Sequence, residues 1–155
     1  MRIRQATAAD APVLVEFNCA MALETEGKEL LPEVIGAGVR TLLGSPAAGF
    51  YVVAESEGRV VGTLLITKEW SDWRNGTFWW IQSVYVRPES RRKGVYKTLY
   101  GHVQGMAANE PGVCGFRLYV ERENTRAQST YTSLGMQETH YRVFEALKPG
   151  IRFHK

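Results

Sequence analysis

The segment Arg87-Pro-Glu-Ser-Arg-Arg-Lys-Gly-Val-Tyr-Lys97 concentrates the residues best suited to holding an anion. Arg87, Arg91, Arg92, Lys93 and Lys97 stand there against Glu89 alone, a local charge of +4. The whole chain of 155 residues carries 19 bases and 16 acids, a net +3, so the remainder is slightly acidic. Proteins that coat nucleic acid spread their positive charge, and that class is disfavoured. An apolar helical pattern begins directly after Gly94. A helix start presents unpaired N–H groups and about half a unit of positive charge, and a glycine there leaves the main chain open to a close-packed ligand. Together these features point to a ligand bearing a diphosphate. Neither a Walker loop nor a dinucleotide fingerprint is present. A basic turn in isolation is usually a solvated one; its position between a strand and a helix is what favours a ligand.

A second charged stretch has the opposite sign. Glu16, Glu24, Glu26, Glu29 and Glu33 face only Lys28 between residues 16 and 33, a local charge of −4. Such carboxylates could receive a cationic amine, although any one of them alone reads more readily as a solvated helix end. Trp70, Trp73, Trp79 and Trp80 could wall such a site by cation–π contact, with core packing the default for at least two. His102, His140 and His154 are scattered, and Cys19 and Cys114 have neither metal-ligand nor disulfide-framework spacing. No metal site is expected, and two free thiols suggest a cytoplasmic location. No apolar run has the length of a membrane span, and Met-Arg-Ile-Arg-Gln does not read as a secretory signal.

The elements that must position these residues follow from periodicity. Ile3–Ala6 reads as a strand, and Thr7-Ala-Ala-Asp10 has the capping-box pattern ahead of a helix reaching about Leu23. A second helix follows Pro32 and ends near Gly44. Phe50–Ala54 and Arg59–Lys68 form a hairpin across Glu55–Gly58. The strand Thr77–Val86 alternates Trp80, Gln82, Val84 and Val86 on one face with Trp79, Ile81, Ser83 and Tyr85 on the other. Val95, Leu99, Val103 and Met106 give the next helix its buried stripe. Val113–Val120 is a strand, Thr125–Leu134 a helix stopped by Gly135, and Thr139–Leu147 the last strand. The order β-α-α-β-β-β-α-β-α-β predicts one α/β (α+β) domain over 1–155, a central mixed twisted sheet flanked by helices.

Val84-Tyr-Val-Arg-Pro-Glu-Ser-Arg-Arg-Lys-Gly-Val-Tyr96 resembles the acetyl-CoA-binding motif of the GNAT superfamily of N-acetyltransferases, an Arg/Gln-x-x-Gly-x-Gly/Ala run after a strand. Asn124-Thr-Arg-Ala127-x-x-x-Tyr131-x-x-x-Gly135-Met136 is similar to the second signature of that family, and the element order matches over essentially the whole chain. The resemblance implies an enzyme that uses acetyl-CoA as co-substrate. Main chain of Ser83, Val84, Tyr85 and Val86 would bind the pantetheine. Arg91, Arg92, Lys93, Gly94, Val95, Tyr96 and Lys97 would hold the pyrophosphate. Asn124 and Ala127 would border the pantetheine arm, and Tyr131 would protonate the departing CoA thiolate. The two strands Trp79–Val86 and Val113–Val120 would splay to admit the cofactor.

Two positions depart from the pattern. Tyr96 replaces a small residue of the loop. The tryptophan-rich stretch resembles the spermidine/spermine N-acetyltransferase branch, but Gln82 stands where that branch has a glutamate, and an amide cannot accept a proton. Glu24, Glu26 and Gln82 are therefore candidate acceptor-side residues, with His140 a backup base. The acceptor is expected to be a small-molecule or peptide amine, attacking the thioester directly. The resemblance is compatible with a homodimer. A catalytically idle acyl-CoA-binding or regulatory domain is the alternative reading, and neither nucleic acid nor membrane is expected as a partner.

Overall fold

The computed structural model describes all 155 residues, which fall into two compact units: Met1–Arg117 with Phe153–Lys155, and Leu118–Arg152. The first unit is built on a five-stranded sheet in the order β1 (Arg2–Gln5), β2 (Gly49–Ser56), β3 (Arg59–Ser71), β4 (Gly76–Val86) and β5 (Val113–Arg117). Neighbours are antiparallel except the last pair, β4 and β5, which run parallel and are joined through helix α3 (Val95–Ala108). The fold class is therefore α/β with a mixed sheet, as the periodicities predict.

Helices α1 (Ala11–Glu26) and α2 (Pro32–Leu43) cover one face. Leu14 and Val39 from these helices meet Tyr51, Val53 and Leu65 of the sheet in one buried cluster. Removing such side chains from water supplies most of the stabilisation, about 1.5–3 kcal/mol for each fully buried aliphatic. Helix α1 begins at Asp10, whose carboxylate accepts the Thr7 N–H at 2.7 Å and both guanidinium nitrogens of Arg4 at 2.8 Å. It ends at Gly27, whose φ of +64° lets the Gly27 and Lys28 N–H groups close back onto Leu23 and Ala22. Val95, Leu99 and Val103 of α3 are buried on the opposite side, where Tyr100, Phe116 and Trp79 meet edge to face.

The second unit holds helix α4 (Thr125–Ser133). Asn124 caps it, accepting the Ala127 N–H at 3.1 Å.

Two expectations are corrected. Residues 139–147 form no strand, and β5 stops at Arg117 rather than Val120. Apolar, β-branched composition makes a segment suited to a sheet, but a strand exists only where another strand pairs with it. The second correction concerns β4. Thr63 pairs with Tyr85 but Leu65 pairs with Gln82, so β4 carries one extra residue at Ser83–Val84, and Ser83 adopts φ +49°. This bulge breaks the alternation. Tyr85 turns to the α1 face, its ring 4.9 Å from that of Phe17, and so falls on the side of Gln82.

Candidate functional site

The bulge lies where β4 has lost its neighbour. Pairing with β5 ends at Trp80 and Arg117, so main chain from Ile81 to Val86 runs on with no strand on that side. At the bulge the backbone leaves regular ladder geometry and one residue of β4 has no partner on β3. Four of the predicted binding residues, Ser83 to Val86, are this stretch.

The chain then passes through a single 3-10 turn, Pro88–Ser90, into the basic loop. Arg92 and Gly94 both take left-handed conformations, φ +63° and +77°, and α3 starts at Val95. Gly94 makes no side-chain cap, so the first-turn N–H groups of Val95, Tyr96 and Lys97 have no partner inside the helix. A Cβ at Gly94 would meet nothing within 4 Å. Its left-handed backbone angle favours glycine in its own right, beside the room for a ligand that the sequence suggests. The ring of Tyr96 stacks parallel on Tyr100, centroids 6.0 Å apart, so this departure from the small residue of the motif is absorbed along the helix.

The loop charges divide into two sets. Arg91 gives Nε to the Val86 carbonyl and a terminal nitrogen to Glu24, each at 2.8 Å. Arg87 reaches Glu16 at 2.8 Å and lies 4.8 Å over the Phe17 ring. Arg92, Lys93 and Lys97 are exposed and make no ion pair. Three cations outside any ion pair, a helix start and an open strand edge fit a long ligand with a diphosphate at one end and hydrogen-bonding amides along its length.

The predicted acceptor residues do not converge. Glu24 is held by Arg91, with the Tyr85 hydroxyl 3.5 Å away, while Glu26 pairs with Lys28 at 3.1 Å on the exposed helix end. Gln82 donates to the Thr67 hydroxyl. The tryptophans separate too: Trp79 is fully buried, whereas Trp70 and Trp73 stand out at the β3–β4 turn, Trp73 being 90 % exposed. His140 falls in the segment that forms no strand.

Sequence reasoning missed Glu69. It accepts from the Trp80 indole at 3.1 Å and from Arg117 at 2.8 Å. Those two bonds hold its carboxyl below the usual range, so it stays ionised. Leu65, Thr67 and Glu69 alternate along β3 beside Gln82, Trp80 and Phe78 of β4, so Glu69 lies on the Gln82 face of the sheet. The period-two pattern of β3 carried that signal.

In the second unit, Asn124 spends its side-chain oxygen on the α4 cap, and Tyr131 follows seven residues later, two turns along the same helix face. Burial pushes the Tyr131 phenol up from its ordinary value.

The acetyltransferase (GNAT) family model matches residues 15–136. A solved structure of a possible acetyltransferase from Clostridium difficile 630 is 44% identical, covers 95% of this chain and 97% of its own, and superposes with a TM-score of 0.89. A predicted acetyltransferase with acetyl-CoA from Clostridium acetobutylicum has the same fold at 19% identity, with coverages of 94% and 95% and a TM-score of 0.77. An aminoglycoside antibiotic 6'-N-acetyltransferase from Acinetobacter haemolyticus also shares the fold, at 19% identity, coverages of 96% and 99%, and a TM-score of 0.75. No curated protein matches the sequence. With the loop, the bulged strand and the match over most of its length in agreement, the chain belongs to the GNAT family of acetyltransferases, acyltransferases that draw on acetyl-CoA.

Proposed function

We propose that residues 1–155 act as one N-acetyltransferase domain that moves an acetyl group from acetyl-CoA to a primary amine of a small molecule or peptide. The observation that carries this reading is the β4 bulge at Ser83, on an unpaired strand edge that leads straight into the start of α3. Main-chain groups of Ser83–Val86 hold and align the pantetheine, and Arg92, Lys93, Lys97 and the α3 N–H groups hold the diphosphate. A main-chain N–H at the bulge donates to the oxygen that gains negative charge as the amine nitrogen attacks the thioester carbon.

The C–N bond forms and the C–S bond breaks. The sulfur leaves as a thiolate and takes the proton of the Tyr131 hydroxyl, while the amine gives up its own proton to solvent water. A phenol whose pKa is raised by burial is protonated at neutral pH and so available as an acid. Gln82, which cannot take a proton, orients the acceptor or a water through its amide. Asn124 and Ala127 keep α4, and with it Tyr131, in register. We place the protein in the cytoplasm, where its two free cysteines would remain reduced.

The test is release of CoA from acetyl-CoA in the presence of polyamines, aminoglycosides, amino acids and peptide N-termini. Steady release that depends on one of these amines is expected. Tyr131→Phe is then expected to lower kcat by about 10²–10⁴-fold with little change in acetyl-CoA binding. Tight binding of acetyl-CoA without amine-dependent turnover would instead identify an idle acyl-CoA-binding module, and full kcat in the phenylalanine variant would remove Tyr131 as the acid.

A further inference from the structure

Past Leu65, which belongs to the core cluster, the same face of the sheet turns polar. Thr67 and Glu69 follow on β3, opposite Trp80 and Phe78 of β4, and Thr67, Glu69, Trp80 and Gln82 are all half-buried. Parallel pairing sets Arg117 of β5 beside Trp80, and Gly115 beside Phe78. This strip adjoins the bulge, since Gln82 directly precedes Ser83. Its acidic and amide groups are already engaged. Glu69 accepts from both Arg117 and the Trp80 indole, Glu24 is held by Arg91, and the neutral Gln82 amide meets the Thr67 hydroxyl. The cations are in surplus. Arg74, at the β3–β4 turn, gives a nitrogen to the Ser71 hydroxyl at 3.3 Å and forms no ion pair, while Asp72 turns onto the Trp73 N–H at 2.8 Å. Arg117 and Arg74 both lie over the Phe78 ring, 3.7 and 5.0 Å from its centre. That ring leans across Gly115, where a Cβ would come within 3.0 Å of it. A guanidinium stacked by its face presents its N–H groups at the edge, the geometry that meets a carboxylate. Two such groups against one carboxylate leave this end of the strip positive.

We propose that the acceptor is an amine that also bears a carboxylate, with its nitrogen beside Gln82 and its carboxylate received by Arg74 and Arg117. This rests on the acetyl-transfer reading and adds a charge requirement to it. A polyamine brings a second positive charge to the guanidinium end of the strip and is disfavoured there; a carboxylate offsets the surplus. Spacing narrows the class further. Trp80, the register partner of Arg117, stands two residues from Gln82, about 7 Å along the strand. The side-chain amine of an amino acid such as lysine spans that distance from its own carboxylate, and so does the N-terminus of a dipeptide. An α-amine one carbon from its carboxylate does not.

Matched pairs of amines test the carboxylate alone. Lysine and cadaverine differ by that one group, as do alanyl-alanine and its C-terminal amide. With the full chain and saturating acetyl-CoA, kcat/KM for CoA release is expected to favour the carboxylate member by about tenfold or more. Preference within the first pair identifies a free amino acid as acceptor, and preference within the second a peptide. Arg74 is exposed on a turn, so its variants test charge without disturbing the core. Arg74→Gln is expected to narrow the ratio within the preferred pair, and Arg74→Glu to narrow it further or reverse it. Calorimetric titration of the same compounds into the CoA-saturated protein reads the preference without turnover. Selective binding of a carboxylate member with no amine-dependent CoA release would remove the acetyl-transfer reading and leave the anion site standing. Equal or better use of cadaverine and the dipeptide amide, binding of none of these compounds, or an Arg74→Glu variant that lowers both members of a pair alike would each overturn the proposal.

Discussion

Arg91 divides its guanidinium between the Val86 carbonyl and the Glu24 carboxylate, so the residue expected to meet the cofactor already holds an anion from α1. Both side chains are two-fifths exposed, and a pair of that kind contributes little to folding, about 0.2–1 kcal/mol. Its larger consequence is for binding, because a fixed negative charge beside the phosphate loop competes with the diphosphate for Arg91. Glu24→Gln is expected to tighten acetyl-CoA binding by up to about fivefold, the equivalent of that pair energy at its upper end, with melting temperature nearly unchanged. Calorimetric titration reads this directly, and weaker binding would mean that Glu24 instead positions Arg91 for the ligand. None of this pairing was legible beforehand. Glu24 and Arg91 are 67 residues apart, and opposite charges in a sequence say nothing about which of them meet. The loop was legible as a strand-to-helix junction because Arg91, Arg92, Lys93 and Gly94 are contiguous and precede an apolar helical stripe.

At the scale of elements, the strand-to-helix junction depends on one backbone angle. Gly94 at φ +77° ends the loop and opens α3, and its Cβ position is empty space. Gly94→Ala is therefore expected to cost about 1–2 kcal/mol from conformation alone, and to weaken acetyl-CoA binding as the α3 start shifts. Gly101, inside α3, also has nothing within 4 Å of a built Cβ, and its backbone is helical. Gly101→Ala is expected to stabilise the protein by about 0.5–1 kcal/mol. Urea melts of the two variants should move in opposite directions; movement together would separate the Gly94 effect from its φ angle. The helices and the β2–β3 hairpin were readable because local periodicity, prolines and glycines specify them. The bulge at Ser83 was not, since a period of two contains no signal for an extra residue until the β3 partner is known. The segment 139–147 failed for the converse reason. Its residues suit a strand, and pairing is not a local property.

Across the whole molecule, ion pairs link charged runs that lie far apart in sequence. The basic run 87–97 and the acidic run 16–33 are not opposite poles, because Arg87 meets Glu16 and Arg91 meets Glu24. What remains outside ion pairs in the basic run is Arg92, Lys93 and Lys97, a smaller set of charges for the proposed diphosphate contact. A third set of ion pairs binds the start of α1 to the sheet. Arg4 on β1 grips both oxygens of Asp10 at 2.8 Å and reaches Glu55 of β2 at 2.6 Å. The Asp10 side chain is only 8% exposed, and hydrogen bonds from Arg4, with a further one from the Thr7 N–H, hold its carboxyl below the ordinary value of 3.8. Between those two values the folded chain binds fewer protons at Asp10 than the unfolded chain does. The stabilisation is thus complete above the unfolded value and disappears as pH falls through the folded one. Asp10→Asn keeps the shape, removes the charge and leaves the Arg4 guanidinium with a poorer partner. It is expected to cost about 2–3 kcal/mol at neutral pH, or roughly 5–10 °C in melting temperature for a chain of this size. The distinguishing readout is the pH series. The parent should lose stability steeply below about pH 4, and the asparagine variant less steeply over the same interval, so that the two curves converge in acid. Parallel curves would show that Asp10 contributes through its hydrogen bonds alone and that the acid limb belongs to other carboxylates.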